Sequence, residues 1–270
     1  MSDVLTERVE DGVLTITLNR PDSYNAINAE LRDRLVEALG TAGNRGVACT
    51  VVRGAGRGFC AGIDLRSGSA GVTGYRLMEY MRTSTQAIVR AVLASPVPVV
   101  TAVHGACAGV ALVLALGADH CVAADDARFS APFVHRALVP DGASIYLLPR
   151  LVGLGRARRV LLFGEDVSAP DALAAGMIGE VVPAADLEAA TRGRAEQLAR
   201  LPTAAIAYTR SMLVRSFELD LESALFEERA GQALMSTTAD YVEGTASFLE
   251  RRPPKFGADE APGGPGHDLA

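Results

Sequence analysis

The sequence predicts an α/β fold, in which short apolar strands and helices form layers. Runs of β-branched and apolar residues alternate along the chain with segments of helical spacing. From about Leu187 onward the pattern is helical only. Of the 270 residues 49% are apolar, which is enough to bury one substantial core and a small appendage.

The elements of the predicted core follow one another as strand, loop and helix. A strand is predicted over residues 13–18 (VLTITL), where apolar and polar residues alternate with period two. A helix follows over residues 28–39, with Asn28 in the N-cap position. Because ligands of such folds bind near the carboxyl ends of the strands, we expect the site there. The other predicted strands span residues 47–52, 97–103 and 121–124.

The chain is predicted to have one main domain with a C-terminal extension. We place an α/β core at residues 1–200 and a helical region at residues 201–256. The LPT segment at residues 201–203 separates two helices of the C-terminal part, since proline ends a helical pattern. Residues 257–270 are rich in Gly, Pro and Asp, which predicts a disordered tail.

Charge and hydropathy patterning exclude several classes of partner. The net charge is −6 and Lys255 is the only lysine, so nucleic-acid binding is not expected. No stretch reaches the roughly 18 apolar residues of a membrane span. The N-terminal residues lack the basic and apolar segments of a signal peptide. A cytoplasmic protein without a membrane partner is therefore expected.

The cysteines predict buried, reduced thiols and no metal site. All of them lie in apolar or small-residue segments, and no two have the spacing of metal ligands. They are Cys49, Cys60, Cys107 and Cys121.

Two short stretches of small residues, 59–65 (FCAGIDL) and 104–110 (HGACAGV), each follow a β-branched run. The second opens a long apolar helix, so the backbone N–H groups at its start lack intrahelical acceptors. Two such donors aimed into one cleft make an oxyanion hole, which stabilises the negative charge that develops on a carbonyl oxygen. The two stretches therefore indicate chemistry on a thioester or a similar carbonyl compound.

Five motifs in order along the chain resemble the crotonase (enoyl-CoA hydratase/isomerase) superfamily. The resemblance covers nearly the whole chain, residues 4–256. It implies a spiral of repeated ββα units with a helical C-terminal trimerisation region, in a homotrimer or a dimer of trimers. The motifs are LNRP (18–21), GFCAGIDL (58–65), AVHG (102–105), LVPDG (138–142) and LPRLVG (148–153).

The resemblance implies an acyl-CoA thioester as substrate, with coenzyme A as part of the substrate and no separate cofactor. It places the oxyanion donors at the backbone N–H groups of Ile63 and Val110, although the family usually has glycine at the second position. In relatives, a basic and aromatic cluster near the C-terminus touches the adenine and 3′-phosphate from a neighbouring subunit. The implied substrate or coenzyme A contacts are Ala61, Gly62, Asp64, Leu65, Gly109, Phe133, Arg251, Lys255 and Phe256.

The side chains at the catalytic positions distinguish between branches of the superfamily. Hydratases use two glutamates, and the matching positions hold Val113 and Phe133, which cannot carry a proton. Asp141 stands where several other branches have a catalytic aspartate, and residues 133–141 most resemble the ring-epoxide isomerase of phenylacetate degradation. A lone carboxylate facing an oxyanion hole suits a proton shuttle. The resemblance therefore implies an isomerase of a double bond or a ring.

Other interpretations of these residues stay open. Asp141 lies in a Pro-Asp-Gly sequence, which is a favoured turn, and Asp64 is mainly a structural cap of its loop in the family. An aromatic-acyl-CoA dehalogenase needs a histidine where Gln86 stands, and a naphthoate-forming cyclase usually has a serine-rich loop that is absent after Asp141. The alternative from another class is a CoA-ester-binding protein that has lost catalysis, which Val113 and Phe133 favour.

Residues near the motifs that invite a functional role are interpreted structurally. His104 is expected to bond the loop backbone, and His135 is not assigned a catalytic role. The segment that lines the acyl tunnel in relatives contains aromatic and methionine residues at helical spacing, which is more typical of a core than of ligand contacts. They are Tyr75, Met78, Tyr80 and Met81.

Overall fold

The computed structural model of the chain describes residues 3–66 and 71–257. The chain divides into two units, Met1–Glu196 and Gln197–Ala270. The division lies slightly before the predicted boundary at residue 200, inside the helix Leu187–Ala199. Of the predicted tail, only Gly257 is within the described residues.

The strands belong to the first unit. They are β1 (Leu5–Glu10), β2 (Val13–Leu18), β3 (Cys49–Gly54), β4 (Val99–Val103), β5 (Ala106–Ala108), β6 (His120–Ala124), β7 (Arg128–Ser130), β8 (Val167–Ser168) and β9 (Glu180–Val182).

The helices alternate with the strands and then continue alone. They are α1 (Ala29–Thr41), α2 (Gly74–Thr83), α3 (Thr85–Leu93), α4 (Val110–Gly117), α5 (Ser144–Phe163), α6 (Ala169–Ala174), α7 (Leu187–Ala199), α8 (Thr203–Arg215), α9 (Leu221–Met235) and α10 (Ala239–Glu250). The predicted break between two C-terminal helices is confirmed, since α7 ends at Ala199 and α8 begins at Thr203. None of the helices within the described ranges is long and apolar enough to cross a membrane.

Two sheets organise the first unit in the part of the chain that the structure describes. The larger has the strand order β1-β2-β3-β4-β6-β9, and the smaller has the order β5-β7-β8. β1 and β2 pair antiparallel, whereas every later pair of the larger sheet is parallel. Parallel neighbours need crossover connections, and the helices between the strands supply them.

The predicted core elements are confirmed, with small changes of their ends. The strand over residues 13–18 is β2, and Asn28 caps α1 by accepting the Leu31 N–H at 2.9 Å. β1 was missed because only Leu5 of its six residues is buried, so it shows no clear alternation. Edge strands often have this pattern.

The core of the first unit is built on one face of the large sheet. Alternate β2 side chains Leu14, Ile16 and Leu18 are fully buried and join a cluster with α1, α3 and α4. Residues 110–116 of α4 are all buried, because the helix is apolar on all sides. The predicted burial of the cysteines is confirmed, and all are free thiols. Burial raises the pKa of Cys60 to about 12, so this thiol stays protonated.

The second unit contains the helices α8, α9 and α10, of which α9 and α10 have side-chain N-caps, whereas α8 follows Pro202 and has none. Asp220 accepts the Ser223 N–H at 2.8 Å, and Thr238 accepts the Tyr241 N–H at 3.2 Å. Together with Phe256, these helices line a mainly apolar cavity of about 1060 Å³.

Candidate active site

The two small-residue stretches lie side by side. Cys60 and Cys107 form a parallel bridge, in which the Cys60 N–H donates to the Ala106 carbonyl and the Ala108 N–H donates to the Cys60 carbonyl, both at 3.0 Å. Each cysteine stands three residues before one of the proposed oxyanion donors, Ile63 and Val110. The bridge therefore brings the two donor loops together in register.

Two glycines allow the loops to touch beyond this bridge. Gly62 has φ +91°, and a Cβ there would lie 2.8 Å from the Ala108 carbonyl oxygen. Gly109 has φ +59° and precedes α4. Only glycine takes up such a conformation and such a close approach without strain. The residues directly after these glycines are Ile63 and Val110.

The N–H groups of Ile63 and Val110 have no hydrogen-bond acceptor among the described residues. Ile63 forms a parallel bridge with Ile27, and the bonds of that bridge are made by its neighbours Gly62 and Asp64. Val110 is the first residue of α4, where no carbonyl lies one turn back to accept its N–H. Two unpaired donors on touching loops are the arrangement that an oxyanion hole requires.

Asp141 lies on the loop that packs against the start of α4. A Cβ on the next residue, Gly142, would lie 3.1 Å from Cγ2 of Val113 and 3.4 Å from Cγ2 of Val110. The Asp141 carboxyl group is partly buried, and none of the described residues bonds or pairs with it. Burial raises its pKa to about 6. It is therefore mainly ionised at neutral pH and able both to accept and to return a proton.

Ser144 stabilises the turn that contains Asp141. Its hydroxyl donates to the Asp141 backbone carbonyl at 2.6 Å, and its N–H donates to the same oxygen at 3.0 Å. The Asp141 carboxylate remains available because Ser144 bonds the backbone.

A comparison with known protein families identifies the family of this chain. The family model described as enoyl-CoA hydratase/isomerase matches residues 8–259, nearly the whole chain. The chain belongs to the enoyl-CoA hydratase/isomerase family. The predicted superfamily is thereby confirmed.

Curated members of the enoyl-CoA hydratase/isomerase family carry different activities in their names. One from Rhodobacter capsulatus, named "Probable enoyl-CoA hydratase", is 40% identical over 92% of this chain and 95% of its own length. One from Escherichia coli K12, named "1,2-epoxyphenylacetyl-CoA isomerase", is 36% identical over 95% of this chain and 99% of its own length. Family membership thus leaves the reaction to be argued from the site.

Solved structures of the family have the same fold. The crystal structure of an enoyl-CoA hydratase from Mycobacterium smegmatis matches with a TM-score of 0.88 and 31% identity, covering 94% of this chain and 99% of that one. The predicted crotonase-like α/β fold with a helical C-terminal region is confirmed.

The positions of the two hydratase glutamates hold apolar side chains that belong to the core. Val113 is 1% exposed and faces Gly142, while Phe133 is 8% exposed and joins the core cluster. Phe133 thus has little surface with which to contact a substrate. Neither residue supplies an acid or a base.

Asp64 is held by two arginines within the first donor loop. Its carboxylate is 3.2 Å from the Arg20 guanidinium and 3.3 Å from Nε of Arg66, and it accepts the Arg66 N–H at 3.2 Å. Burial opposes its ionisation, but these bonds outweigh that effect and hold the pKa of Asp64 below its ordinary value. The carboxylate is committed to ion pairs, which favours a structural role.

The other predicted contacts of the first unit lie around the donor loops. Ala61 is exposed, with its N–H bonded to the Tyr24 carbonyl at 3.0 Å, and Leu65 is 54% exposed. Tyr75 and Met78 on α2 are 72% and 67% exposed, so their interpretation as core residues is wrong. Every residue of α2 is at least partly exposed.

The predicted coenzyme A contacts near the C-terminus belong to the second unit. Arg251 ends α10 in a left-handed conformation, and the Lys255 N–H donates to Glu243 at 2.7 Å. Phe256 packs against α10 at Gly244. Their contact with coenzyme A stays a prediction.

The histidines near the motifs make structural contacts. Nε2 of His104 donates to the Gly56 carbonyl at 2.9 Å, as expected from its place beside the loop. The His135 ring lies against Gly164 at the end of α5. Within the described ranges, no group of three or more His, Cys, Asp or Glu residues is arranged to hold a metal ion.

Asn25 is a site-supporting residue that the sequence analysis missed. It is fully buried with φ +55°, and its Nδ2 donates to the carbonyls of Ala55 and Gly58 at 2.8 and 2.9 Å. The Cys60 thiol donates to the Asn25 carbonyl at 3.1 Å. Asn25 thereby holds the segment that leads into the first donor loop. The sequence feature that could have identified Asn25 is its residue type, since asparagine tolerates the left-handed conformation, in the segment that follows Arg20 and Pro21.

Proposed function

We propose that this chain is an acyl-CoA isomerase in which Asp141 shuttles a proton and the N–H groups of Ile63 and Val110 hold the thioester oxygen. The observation that carries the proposal is the Asp141 carboxyl group, partly buried and without a partner among the described residues, on a loop packed against the start of α4. An unpaired carboxyl group in such a place has no structural bond to make, so a turn-forming role alone leaves its burial unexplained.

The reaction follows from these groups. The thioester carbonyl oxygen accepts the two N–H bonds, which stabilise its negative charge when a proton leaves the acyl chain. The Asp141 carboxylate takes that proton, and the electron pair of the C–H bond moves into the conjugated system to form an enolate. The Asp141 carboxylic acid then returns the proton to a different carbon. The double bond moves and no atom is gained or lost.

Hydration is the less favoured reaction of the family for this chain. Water addition requires one group to activate the water and a proton donor at carbon 2. Val113 and Phe133 occupy the two glutamate positions, which leaves Asp141 for both tasks. The isomerase in the name of the E. coli relative supports the proposal, whereas the hydratase in the name of the R. capsulatus relative does not.

The second candidate function is the binding of CoA esters without turnover. The apolar side chains of Val113 and Phe133 favour it, because a degenerate site keeps its donor loops while losing its acids and bases. This candidate predicts thermal stabilisation by acyl-CoA and no conversion.

The test is a pair of spectrophotometric assays on wild type and Asp141→Asn. A 3-enoyl-CoA is followed for the appearance of the conjugated enoyl band, and a 2-enoyl-CoA is followed for its loss. We expect the band to appear without hydration in wild type, and Asp141→Asn to lower turnover by about 100- to 10,000-fold. CoA-ester binding, measured by thermal shift, should persist in the variant.

Each contrary outcome identifies what is wrong. Rapid hydration by wild type would mean that another base activates water. Full turnover by Asp141→Asn would remove Asp141 from the mechanism. Silence in both assays, extended to ring-containing CoA esters, together with stabilisation by those esters, would establish the binding function instead.

A further inference from the structure

The Val110 side chain lies close to the loop that carries Asp141. Val110 is 2% exposed, and its Cγ2 lies 3.4 Å from the position of a Cβ on Gly142. Val113, one helical turn along α4, lies 3.1 Å from the same point. Valine thus replaces the small residue usual at position 110 and fills the space between the helix and the loop.

The loop that carries Asp141 has a left-handed backbone conformation where it approaches Val110 and Val113. Gly142 has φ +60° and Ala143 has φ +61°, so two consecutive residues are left-handed. Asp141 is the residue before them, with its Cα about 3.8 Å from that of Gly142. A displacement of Gly142 from α4 is therefore expected to move Asp141 as well.

We propose that the side chains of Val110 and Val113 position Asp141 through Gly142, so that Val110 links the oxyanion donor to the proton shuttle. Its backbone N–H contacts the thioester oxygen and its side chain sets how far the carboxylate stands from it. Val110 and Val113 are positioning residues for Asp141 in this respect. The inference rests on the proposed function, which assigns Asp141 as the shuttle.

The surroundings of Asp141 make its ionisation a reporter of this packing. α4 contains no titratable residue, and Asp141 is the only one in residues 137–143. Tyr146 and Arg150 of α5 stack on each other at 3.6 Å. Of the preceding turn, His135 lies against Gly164, and Arg136 donates to the Pro132 carbonyl at 3.2 Å. None of these groups bonds the carboxylate, so burial is what raises its pKa.

Three variants test the contact. Val110→Ala keeps the backbone donor and removes both Cγ atoms, Gly142→Ala adds a Cβ against Val113 and Val110, and Gly142→Ala with Val113→Ala removes the closest of these contacts. We expect the first two to lower kcat by about 10- to 100-fold with little change in KM. Both should move the pKa of Asp141 downward, because a displaced loop admits water. The combined variant should recover much of both losses.

The matched control is Gly46→Ala. Gly46 has φ +65°, close to that of Gly142, but a Cβ there has nothing within 4 Å. It reproduces the backbone strain without the contact and should leave kcat unchanged. A loss of melting temperature equal to that of Gly142→Ala would show that strain alone explains the stability change.

The pKa of Asp141 is read directly by NMR with ¹³C-labelled aspartate, with Asp141→Asn to assign the signal. This readout does not depend on turnover. If Asp141→Asn keeps full activity, the proposed function fails while the NMR titration still reports on the contact. An unchanged pKa in Val110→Ala, or no recovery in the combined variant, would overturn the positioning role.

Discussion

At the scale of the residue, Asp141 combines a solvent-poor position with the lack of a bonding partner among the described residues. Burial raises its pKa to about 6, and within residues 3–66 and 71–257 no cation and no hydrogen bond stabilises its charge. Asp64 shows the opposite case, since Arg20 and Arg66 stabilise its charge. The two aspartates therefore have different surroundings, although the motifs contain both.

Activity is predicted to fall as the pH decreases through about 6. The proposed shuttle begins as a carboxylate, and the raised pKa of Asp141 means that this form is lost below about 6 rather than near 3.8. The measurement is kcat/KM for a 3-enoyl-CoA between pH 4.5 and 8, a range that spans this pKa. The ionic strength is held at about the physiological value. A profile that stays flat down to pH 4.5 would contradict the assignment.

The same ionisation is predicted to reduce the stability of the fold. In a carboxyl group with a raised pKa the folded state binds the proton more tightly, so stability declines as the pH rises from 3.8 to about 6. Asp141→Asn should therefore be more stable than wild type at pH 7, by about 1–2 kcal/mol for this partly exposed group. Urea denaturation at pH 7 and at pH 4.5 measures it, and the difference should shrink at the lower pH.

At the scale of the element, the site depends on two loops that run beside each other at strand distance. The Cys60–Cys107 bridge sets their register, and Gly62 and Gly109 let the backbones approach. Within the described ranges the two N–H groups are left unpaired, because the bonds of the Ile27–Ile63 bridge are made by the neighbours of Ile63 and because Val110 begins α4. Loop geometry, more than any side chain, produces the proposed oxyanion hole.

Gly62→Ala is predicted to damage the proposed oxyanion hole. The added Cβ would lie 2.8 Å from the Ala108 carbonyl oxygen, which pushes the loops apart at the donor of Ile63. Loss of one donor lowers kcat by about 100- to 1000-fold. Gly12→Ala is the control, since Gly12 has φ +74° with nothing within 4 Å of its Cβ position. Equal kcat values for the two variants would refute the steric explanation.

Asn25→Ala is predicted to destabilise the fold and to reduce turnover. The change leaves the buried carbonyls of Gly58 and Phe59 without this donor, and each such loss costs about 1–3 kcal/mol. The segment leading to Cys60 loses its anchor at the same time. Urea denaturation and steady-state kinetics measure the two effects. Asn44→Ala, at an exposed asparagine, serves as the control and should change neither.

At the scale of the whole molecule, the second unit exposes large apolar side chains that a solvated surface seldom carries. Phe217 is 72% exposed, Phe248 is 82% exposed and Leu249 is 74% exposed. We propose that copies of this chain cover them in a homotrimer or a dimer of trimers. The proposed assembly also places Arg251, Lys255 and Phe256 beside the coenzyme A of a neighbouring subunit.

The oligomer prediction is measured by light scattering during size-exclusion chromatography. We expect a mass three or six times that of one chain for wild type. Phe248→Asp should shift the population to smaller species, because a carboxylate would be buried in the contact without a partner. Glu222→Gln, at another exposed residue of the second unit, should leave the mass unchanged. A monomeric wild type would contradict the proposal.

The amino-acid sequence by itself determined the fold class, most of the large sheet and the family. Hydrophobic periodicity and the cap at Asn28 are local features, and the motifs around Ile63, Val110 and Asp141 are readable in order along the chain. The sequence did not predict short strands such as β5, β7 and β8, because two or three residues are too few to show the alternation of apolar and polar side chains.

Only the tertiary structure decided how these parts act together. The register of Cys60 with Cys107, the packing of Gly142 on Val110 and Val113, and the bonds of Asn25 join residues far apart in the chain. Asp141 and Asp64 differ in their exposure to water and in their ion pairs, and both properties depend on neighbours that folding brings together. Local sequence patterns carry no information on those distances, since long-range packing fixes them.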